Sequence, residues 1–442
     1  MDQFHYKFKA IKDKYKLDNL IVSSITDALS PIKSLGYNLS LIGKKKRYPN
    51  KNEIISWKTF IKNGELYTKD DLKVKKDYLD EAVILYSGGT TGVCKGISLS
   101  NLNFNSLGKQ IVQMNYQFVP GDSMLAAMPI FHGFGLGVSI HSMLAHGGRV
   151  ILVPRFTVDS YAMLIKKRKP NFISGVPSLY EALLKHNGLK KTNLSFLKGI
   201  YSGGDSLSSE SKYRIDKFLK DRHCKVKIQE GYGATECVAA SCLTPNEYYK
   251  EDSIGIPLPD MYFKIVKPET ETELPYGEVG EICISGPTVM RGYVNQEEET
   301  RNTLKRHKDG LIWLHTGDLG IMDEDGFVYF KQRMKRMIVT NGYNVYPSQI
   351  EKVIIKHEAV EQVCVIGVKD PIKIQHVKAC IVLKEGYKET DELRASILEL
   401  CKKNIARYAL PYDMEFRESL PKTKVGKIAY HELEIEENQK LA

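Results

Sequence analysis

The chain has 442 residues, of which 42% are hydrophobic and 26% charged, the composition of a globular protein large enough for two or three domains. It has no apolar run of transmembrane length and no signal-peptide core at its start, so we expect a cytoplasmic location. Its eight cysteines show no C-x-x-C pair or zinc-type spacing, so we expect reduced thiols. The formal net charge of +11 suits an anionic ligand, but the sequence contains no nucleic-acid-binding module.

From residue 82 onward, apolar strand patterns alternate with helical patterns. The predicted strands are residues 82–86, 148–153, 171–174, 197–201 and 225–228, and a helix is predicted over residues 158–167. Because strands that alternate with helices favour parallel pairing, we predict largely parallel sheets covered by helices.

Beyond Gly277 the pattern changes to short strands and turns. Strands at residues 278–285, 327–330 and 337–340 predict a β-rich subdomain. A compact tail follows, with a helix near 347–357, strands at 363–368 and 377–383, and a helix over 390–404. The predicted fold is an α/β multidomain protein with a large N-terminal domain, residues 1–332, and a small α+β C-terminal domain, residues 333–442.

A glycine-rich segment follows the strand predicted at residues 82–86. Its glycines allow close approach of the backbone to a ligand, its hydroxyls are hydrogen-bond donors, and Lys95 adds a mobile cation. This combination favours a polyphosphate, with a plain glycine-rich hairpin as the alternative, and Gly96 after Lys95 excludes a Walker A loop. The predicted ligand-binding residues of this segment are Ser87, Gly88, Gly89, Thr90, Thr91 and Gly92.

Two further glycine turns follow predicted strands, at the strand ends where open α/β sheets bind ligands. In the first turn, Gly204 and Asp205 are candidate contacts, with capping of the next helix as the alternative role of Asp205. In the second turn, Tyr232 is suited to stack on a purine and Glu236 to hold Mg²⁺ that bridges phosphates. The predicted contacts of the second turn are Gly231, Tyr232, Gly233, Thr235 and Glu236, and the predicted metal ligands are Glu236 and Thr90.

Further segments carry candidate groups in a fixed order along the chain: residues 129–135 with His132, 286–293, 315–320 with Asp318, 331–336 with Arg333 and Lys335, 341–347 with Gly342, and 420–428 with Lys427. Together with the glycine segments, they resemble the signatures of the adenylate-forming superfamily, which includes acyl-CoA synthetases, adenylation domains and luciferases. The resemblance covers residues from about 80 to 430. Within the superfamily, the chain is most similar to bacterial long- or medium-chain fatty acyl-CoA synthetases.

The resemblance implies a nucleotide site built from several of these segments. His132 is expected near the acyl pocket and the phosphates, and the turn with Gly204 and Asp205 against the adenine and the acyl group. Asp318 is expected to hold the ribose hydroxyls, and Arg333 to be a second nucleotide contact.

The resemblance also implies a mobile C-terminal domain. Lys335 matches the hinge about which this domain rotates, Gly342 lies in the segment that lines the thiol tunnel, and Lys427 matches the catalytic lysine. The expected catalytic residues are Lys427, Glu236, Lys95 and His132.

The activity implied by the resemblance is ATP-dependent activation of a carboxylic acid, here a fatty acid, to an acyl-adenylate, followed by thioester formation with coenzyme A. ATP, Mg²⁺ and coenzyme A are the implied cofactors and co-substrates. The alternatives are a ligase that loads an acyl carrier protein or acts on an aryl acid, and an inactive relative that binds nucleotide or acyl ligand. Peripheral membrane association and a homodimer stay open.

The sequence departs from the family pattern in three places. Cys94 stands where a proline is usual, so we expect a less rigid glycine loop. Gln332 and Arg336 replace a glycine and an acidic residue around the hinge, which is expected to alter hinge rates without removing a ligand contact. Because 84 residues precede Leu85, we expect a shortened first subdomain.

Overall fold

The computed structural model describes residues 5–40, 54–71, 73–87, 94–115, 117–153, 156–340, 343–370, 374–422 and 428–440. The chain divides into two compact units, Met1–Lys76 and Asp77–Ala442. The predictions for seven site residues lie outside the described residues: Gly88, Gly89, Thr90, Thr91, Gly92, Gly342 and Lys427.

The first unit is built from short elements. They are α1 (His5–Tyr15), β1 (Ile21–Val22), α2 (Pro31–Ser40), β2 (Ile55–Ser56) and α3 (Trp57–Gly64). The strands β1 and β2 pair in parallel. Helix α3 begins after Ser56, whose hydroxyl accepts a hydrogen bond from the Thr59 amide at 3.1 Å and so caps the helix.

The first part of the larger unit alternates strands with helices. Its elements are β3 (Glu81–Ser87), β4 (Lys95–Ser100), α4 (Asn101–Gln113), β5 (Ser123–Ala126), a π-helix (Phe134–His141), α5 (Ser142–Ala145), β6 (Arg149–Leu152), α6 (Val158–Arg168), β7 (Phe172–Gly175), α7 (Pro177–Lys185), β8 (Gly199–Gly203), α8 (Ser209–Lys220), β9 (Ile228–Tyr232), β10 (Cys242–Leu243) and β11 (Ile256–Pro257). They form a seven-stranded sheet in the order β11-β10-β9-β8-β7-β5-β6. The pairings from β6 to β9 are parallel, as the alternation predicts, whereas β10 and β11 add antiparallel pairs at the edge.

Two strand predictions are displaced toward the C-terminus. The strand predicted at 225–228 begins at Ile228 instead, because its parallel partner β8 begins at Gly199 and the pairing opens with Ile200 opposite Ile228. The strand predicted to end at Tyr201 continues through Gly203. Both glycine turns therefore start inside the sheet, where Gly203 lies opposite Gly231.

The rest of the larger unit is richer in antiparallel strands. Its elements are β12 (Tyr262–Val266), β13 (Gly280–Ser285), β14 (Gly292–Tyr293), α9 (Glu297–Thr303), β15 (Leu304–Arg306), β16 (Ile312–Met322), β17 (Val328–Arg333), β18 (Ile338–Thr340), β19 (Tyr343–Val345), α10 (Pro347–Ile354), β20 (Val360–Asp370), β21 (Ile374–Leu383), α11 (Asp391–Asn404), β22 (Asp413–Phe416) and α12 (Tyr430–Lys440). One sheet has the order β12-β13-β16-β15 with β17 beside β16, and another has the order β19-β18-β21-β20 with β22 beside β21. A third, three-stranded sheet has the order β14-β4-β3.

The buried apolar side chains form separate clusters along the chain. Two large clusters draw on residues between Leu85 and Val328, and two smaller ones on residues between Ile338 and Leu433. The domain boundary between residues 332 and 333 stays a prediction. All eight cysteines are free thiols, and Cys94 is the exposed one. Among the described residues, no helix combines the length and the apolar character needed to cross a bilayer.

Candidate active site

The two described ends of the glycine segment lie side by side. Ser87 ends β3 and Lys95 begins β4, and the two residues are opposite each other in the antiparallel pair. Lys95 Nζ forms an ion pair with Glu299 Oε2 at 2.5 Å and lies 4.8 Å from the centre of the Tyr293 ring. The segment predicted to bind a polyphosphate is therefore flanked by a cation that is held in a defined position.

Glu236, the predicted metal ligand, lies in the short helical turn Thr235–Cys237 just beyond β9. Its carboxylate oxygen Oε1 accepts a hydrogen bond from the Tyr293 hydroxyl at 2.9 Å, and its backbone carbonyl accepts one from the Met290 amide at 2.8 Å. Burial and the nearby Glu236 carboxylate raise the pKa of Tyr293, so this hydroxyl stays a donor. The Glu236 carboxylate is a hard oxygen ligand of the kind that Mg²⁺ prefers, and Tyr293 connects it to Lys95, a cation suited to phosphates.

A second group of side chains suits the ribose. The Tyr232 hydroxyl donates a hydrogen bond to Asp318 Oδ2 at 2.8 Å, and Arg333 Nε lies 3.2 Å from Asp318 Oδ1. Asp318 and Arg333 face each other across the pair of β16 and β17, so the two residues that the sequence predicts as nucleotide contacts come together. Burial and the Asp318 carboxylate raise the pKa of Tyr232 well above its ordinary value.

Asp318 lies in β16 at a β-bulge, where the pairing with β13 shifts register, and Glu281 of β13 holds this bulge. The two carboxylate oxygens of Glu281 contact His315 Nδ1 at 2.8 Å and the Gly317 amide at 3.0 Å. Burial alone would raise the pKa of Glu281, but the hydrogen bonds from His315 and Gly317 bring it below its ordinary value. Gly317 has φ +69°, a conformation that favours glycine.

The same cluster includes Cys283. Donor atoms of Glu281, Cys283 and His315 lie within 4.8 Å of one another, the one such group among the described residues. The Glu281 carboxylate in this group is engaged by His315 and Gly317 through hydrogen bonds.

The turn after β8 lies against the Glu236 segment. A Cβ atom at Gly203 would lie 3.3 Å from the Gly231 carbonyl oxygen, and Gly204 has φ +81°. The capping role considered for Asp205 is wrong, because α8 begins at Ser209 and the Ser208 hydroxyl accepts from the Ser211 amide at 3.2 Å. Asp205 accepts a hydrogen bond from the neighbouring Ser206 amide at 2.9 Å instead.

The segment of His132 packs against the residues that follow Glu236. A Cβ atom at Gly133 would lie 1.6 Å from the Val238 carbonyl oxygen, so the two backbones are in direct contact. Val238 has φ 66° and ψ −57°, and the Ala239 amide donates to the Cys237 carbonyl at 2.8 Å. This is the rare positive-φ form of the γ-turn, which is strained for a β-branched residue. His132 Nδ1 accepts from the Phe134 amide at 3.2 Å.

Gly233 and Thr235 also lie in this tightly packed region. A Cβ atom at Gly233 would lie 2.2 Å from the Ala239 carbonyl oxygen, which explains why glycine occupies this position. Thr235 opens the helical turn of Glu236, and its carbonyl accepts from the Val238 amide at 3.1 Å.

The predicted hinge residues lie at the end of β17. Lys335 is exposed in the helical turn Met334–Arg336, and its charge helps to lower the pKa of Glu299, although the hydrogen bond from Lys95 contributes most to that shift. Arg336, where an acidic residue was expected, pairs with Glu351 at 2.6 Å. This contact gives Arg336 a structural partner in the C-terminal part of the chain.

Three residues of the site were not predicted. Tyr293 lies in the 286–293 segment that supported the resemblance, which was its one sequence signal. Glu281 and Glu299 had no distinguishing pattern, and Glu299 follows two other glutamates in a row that is typical of a solvated helix face.

Comparison with known proteins identifies the family. Residues 32–294 match the family described as AMP-binding enzyme, and residues 349–427 match the AMP-binding enzyme C-terminal domain. A long-chain-fatty-acid–CoA ligase of Bacillus subtilis (strain 168) is 36% identical over 445 residues, which covers 98% of this chain and 75% of that ligase. The chain belongs to the AMP-binding enzyme family.

Further known proteins are similar as well. A probable 4-coumarate–CoA ligase of Dictyostelium discoideum is 34% identical and covers 86% of this chain and 67% of that ligase. The crystal structure of ATP-bound MatB from Rhodopseudomonas palustris superposes with a TM-score of 0.79 and 25% identity, over 98% of this chain and 81% of that one. The predicted superfamily and the predicted α/β multidomain fold are confirmed.

Proposed function

We propose that this AMP-binding enzyme is an acyl-CoA synthetase that activates a fatty acid with ATP and Mg²⁺ and transfers the acyl group to coenzyme A. The observation that carries the proposal is the segment from Gly231 to Glu236. Tyr232 at its start contacts the candidate ribose carboxylate Asp318, and Glu236 at its end is linked through Tyr293 to Lys95. The segment thus joins a candidate nucleoside contact to a candidate phosphate contact within a few residues.

The comparisons support the class of enzyme and the identity of its substrates. Family membership makes the chain an AMP-forming acid–thiol ligase, as the sequence predicted. The likeness to a long-chain-fatty-acid–CoA ligase supports a fatty acid and coenzyme A, and the likeness to ATP-bound MatB supports ATP.

The reaction has two half-reactions. The carboxylate oxygen of the acid attacks the α-phosphorus of ATP and pyrophosphate leaves, which gives an acyl-adenylate. The thiol of coenzyme A then attacks the acyl carbonyl, loses its proton, and AMP leaves. Phosphoryl chemistry of this kind depends mainly on positioning and on stabilisation of charge.

The side chains of this enzyme supply that positioning. Asp318, held by Tyr232 and Arg333, would accept hydrogen bonds from the ribose hydroxyls. Lys95 would balance phosphate charge, and Glu236 would hold Mg²⁺, which neutralises charge on the phosphates when bound. We further propose that Lys427 contacts the carboxylate and the α-phosphate, and that the C-terminal domain turns about Lys335 between the two half-reactions.

An aryl acid is the second candidate substrate, because the chain is also 34% identical to a probable 4-coumarate–CoA ligase. An acyl carrier protein as acceptor, a homodimer, peripheral membrane association and a cytoplasmic location remain predictions.

The test of the function is acid-dependent release of pyrophosphate from ATP and Mg²⁺, measured with short to long fatty acids and aryl acids, with and without coenzyme A. We expect release with fatty acids and formation of acyl-CoA when coenzyme A is present. Release with aryl acids alone would favour the second candidate, and release without transfer to coenzyme A would point to a carrier protein. No release with any acid would contradict the proposal.

Replacement of Lys427 tests the proposed division of labour. We expect Lys427→Ala to reduce adenylate formation by about 10²- to 10³-fold, because one stabilising cation is lost from the phosphoryl-transfer step. Thioester formation from a preformed acyl-adenylate should change by less than about threefold. The matched control is Lys424→Ala, three positions earlier in the sequence, which should affect neither step. An equal loss in both half-reactions would rule out the assignment.

A further inference from the structure

We propose that Tyr293 and Glu299 are positioning residues for two groups of the candidate site, the predicted metal ligand Glu236 and the cation Lys95. Tyr293 fixes the relative placement of the two groups, and Glu299 competes with the nucleotide phosphates for Lys95. The inference rests on the proposed function, because it assumes that Glu236 and Lys95 serve MgATP.

The backbone around Tyr293 spans the distance between the two groups. In β14, Tyr293 pairs with Ile97 of the strand that Lys95 begins, and the Val294 amide donates to the Gly96 carbonyl at 2.8 Å. At the other end of the same segment, the Met290 amide donates to the Glu236 carbonyl at 2.8 Å. Residues 290–294 therefore fix the position of the strand that Lys95 begins relative to the turn that contains Glu236.

The Tyr293 side chain repeats this connection. Its hydroxyl donates to Glu236 Oε1 at 2.9 Å, while the Lys95 ammonium lies 4.8 Å from the ring centre, within the range of a cation–π contact. The Tyr293 residue is 9% exposed, so its own side of both contacts is largely shielded from water. One buried side chain thus orients the carboxylate with its hydroxyl and supports the cation with its ring.

Glu299 acts on Lys95 from the solvent side. Its carboxylate pairs with Lys95 at 2.5 Å, and its side chain is 51% exposed, against 22% for Lys95. The positive charge of Lys335 at the predicted hinge also stabilises the ionised form of Glu299. A triphosphate carries the same sign of charge as Glu299, so the two compete for one cation, and removal of the Glu299 charge should favour the nucleotide.

Calorimetric titration of the 442-residue protein with ATP, in Mg²⁺ and separately in EDTA, tests the proposal. We expect Tyr293→Phe to weaken ATP binding about 3- to 10-fold in Mg²⁺, as loss of one hydrogen bond to a carboxylate implies, and by less than about twofold in EDTA. Glu299→Gln should strengthen ATP binding about threefold at low salt, with a smaller gain at high salt because ions screen exposed charges.

The matched control is Tyr329→Phe. Tyr329 also donates a hydrogen bond to a carboxylate, Asp323 Oδ2 at 2.9 Å, but it lies outside the candidate site. We expect this control to lower the melting temperature as Tyr293→Phe does while ATP binding in Mg²⁺ stays unchanged.

The outcomes separate this inference from the proposed function. Equal effects of Tyr293→Phe in Mg²⁺ and in EDTA, or equal effects of the two tyrosine variants, would overturn the role of Tyr293. Weaker ATP binding by Glu299→Gln would overturn the proposed competition between Glu299 and the nucleotide phosphates for Lys95. If the variants behave as expected but the unaltered protein releases no pyrophosphate with any acid, the nucleotide-site inference stands and the synthetase proposal fails.

Discussion

At the scale of single residues, Glu230 is a buried carboxyl immediately before the nucleotide segment. Its Oε1 accepts a hydrogen bond from the Leu207 amide at 3.0 Å. Burial raises its pKa from the ordinary value of 4.5 to about 7 and outweighs the opposing effects of the Leu207 amide, Lys212 and Lys352, while Asp252 adds to the rise. Glu230 is therefore a neutral acid in the folded protein at mildly acidic pH.

This shift predicts a pH dependence of stability. A raised carboxyl pKa in the folded state gives a stabilisation that is complete below about pH 4.5 and is lost as the pH rises through about 7. We expect the unaltered protein to lose about 2 kcal/mol relative to Glu230→Gln between pH 5.5 and 8, because each pKa unit corresponds to 1.36 kcal/mol. Urea unfolding of both proteins across this pH range measures the difference, and a constant difference at all pH values would contradict the shift.

The site residues differ in how well the sequence reveals them. Tyr232, Glu236, Asp318 and Arg333 each lie in a short segment whose residue types match a nucleotide, and the structure brings them together in two adjoining groups. Glu299 could not be predicted in this way, because its importance depends on Lys95, which is 204 positions away in the chain.

At the scale of elements, the π-helix Phe134–His141 packs against the strained turn at Val238. Gly133, just before the helix, contacts the Val238 carbonyl, and a Cβ atom at Gly137 would lie 2.9 Å from Leu107 Cδ2 and from Val238 Cγ1. Because π-helices and positive φ values outside glycine are rare, their contact beside His132 and Glu236 indicates a backbone shaped for the site.

Replacement of Gly133 tests this contact. The Cβ of Gly133→Ala would lie 1.6 Å from the Val238 carbonyl oxygen, so backbone has to shift. We expect a loss of about 1–3 kcal/mol in the free energy of unfolding, together with a higher KM for the acid. The control is Gly36→Ala in the exposed helix α2, where nothing lies within 4 Å and a gain of up to about 1 kcal/mol is expected. An unchanged free energy of unfolding for Gly133→Ala would show that the backbone at Val238 shifts at no measurable cost.

At the scale of the whole molecule, the C-terminal part has a core of its own. Its larger buried cluster includes Ile338, Val345, Ile350 and Ile354 together with residues of β20, β21 and α11. The Ser348 hydroxyl, which donates to the Lys331 carbonyl at 2.8 Å, connects this part to β17. A part of the chain with a core of its own is a candidate for a separate domain, although residues 77–442 form one compact unit here.

We therefore predict that a fragment of residues 334–442 folds independently. It should unfold cooperatively on heating and show mixed helix and strand by circular dichroism, since it retains both buried clusters. A fragment of residues 356–442 is the control, because it lacks the four core side chains between Ile338 and Ile354 and should not unfold cooperatively. Failure of the longer fragment to fold would argue against a separate C-terminal domain.

The class of fold, the family and most of the candidate nucleotide contacts can be predicted from the amino-acid sequence. These properties follow from local patterns: apolar runs that alternate with helices predict parallel pairing, and glycine turns at strand ends predict ligand contacts. The starts of β8 and β9 were misplaced by a few residues, because strand pairing, which depends on the partner strand, decides where a strand begins.

The contacts between the groups of the site depend on the pairing of strands that are distant in the chain. The link from Lys95 through Tyr293 to Glu236 exists because β14 pairs with β4, two strands almost two hundred residues apart in the chain. Likewise, Glu281 supports Asp318 at the β-bulge where β13 pairs with β16. Contacts of this kind depend on the register of distant strands, and no local pattern of residues encodes that register.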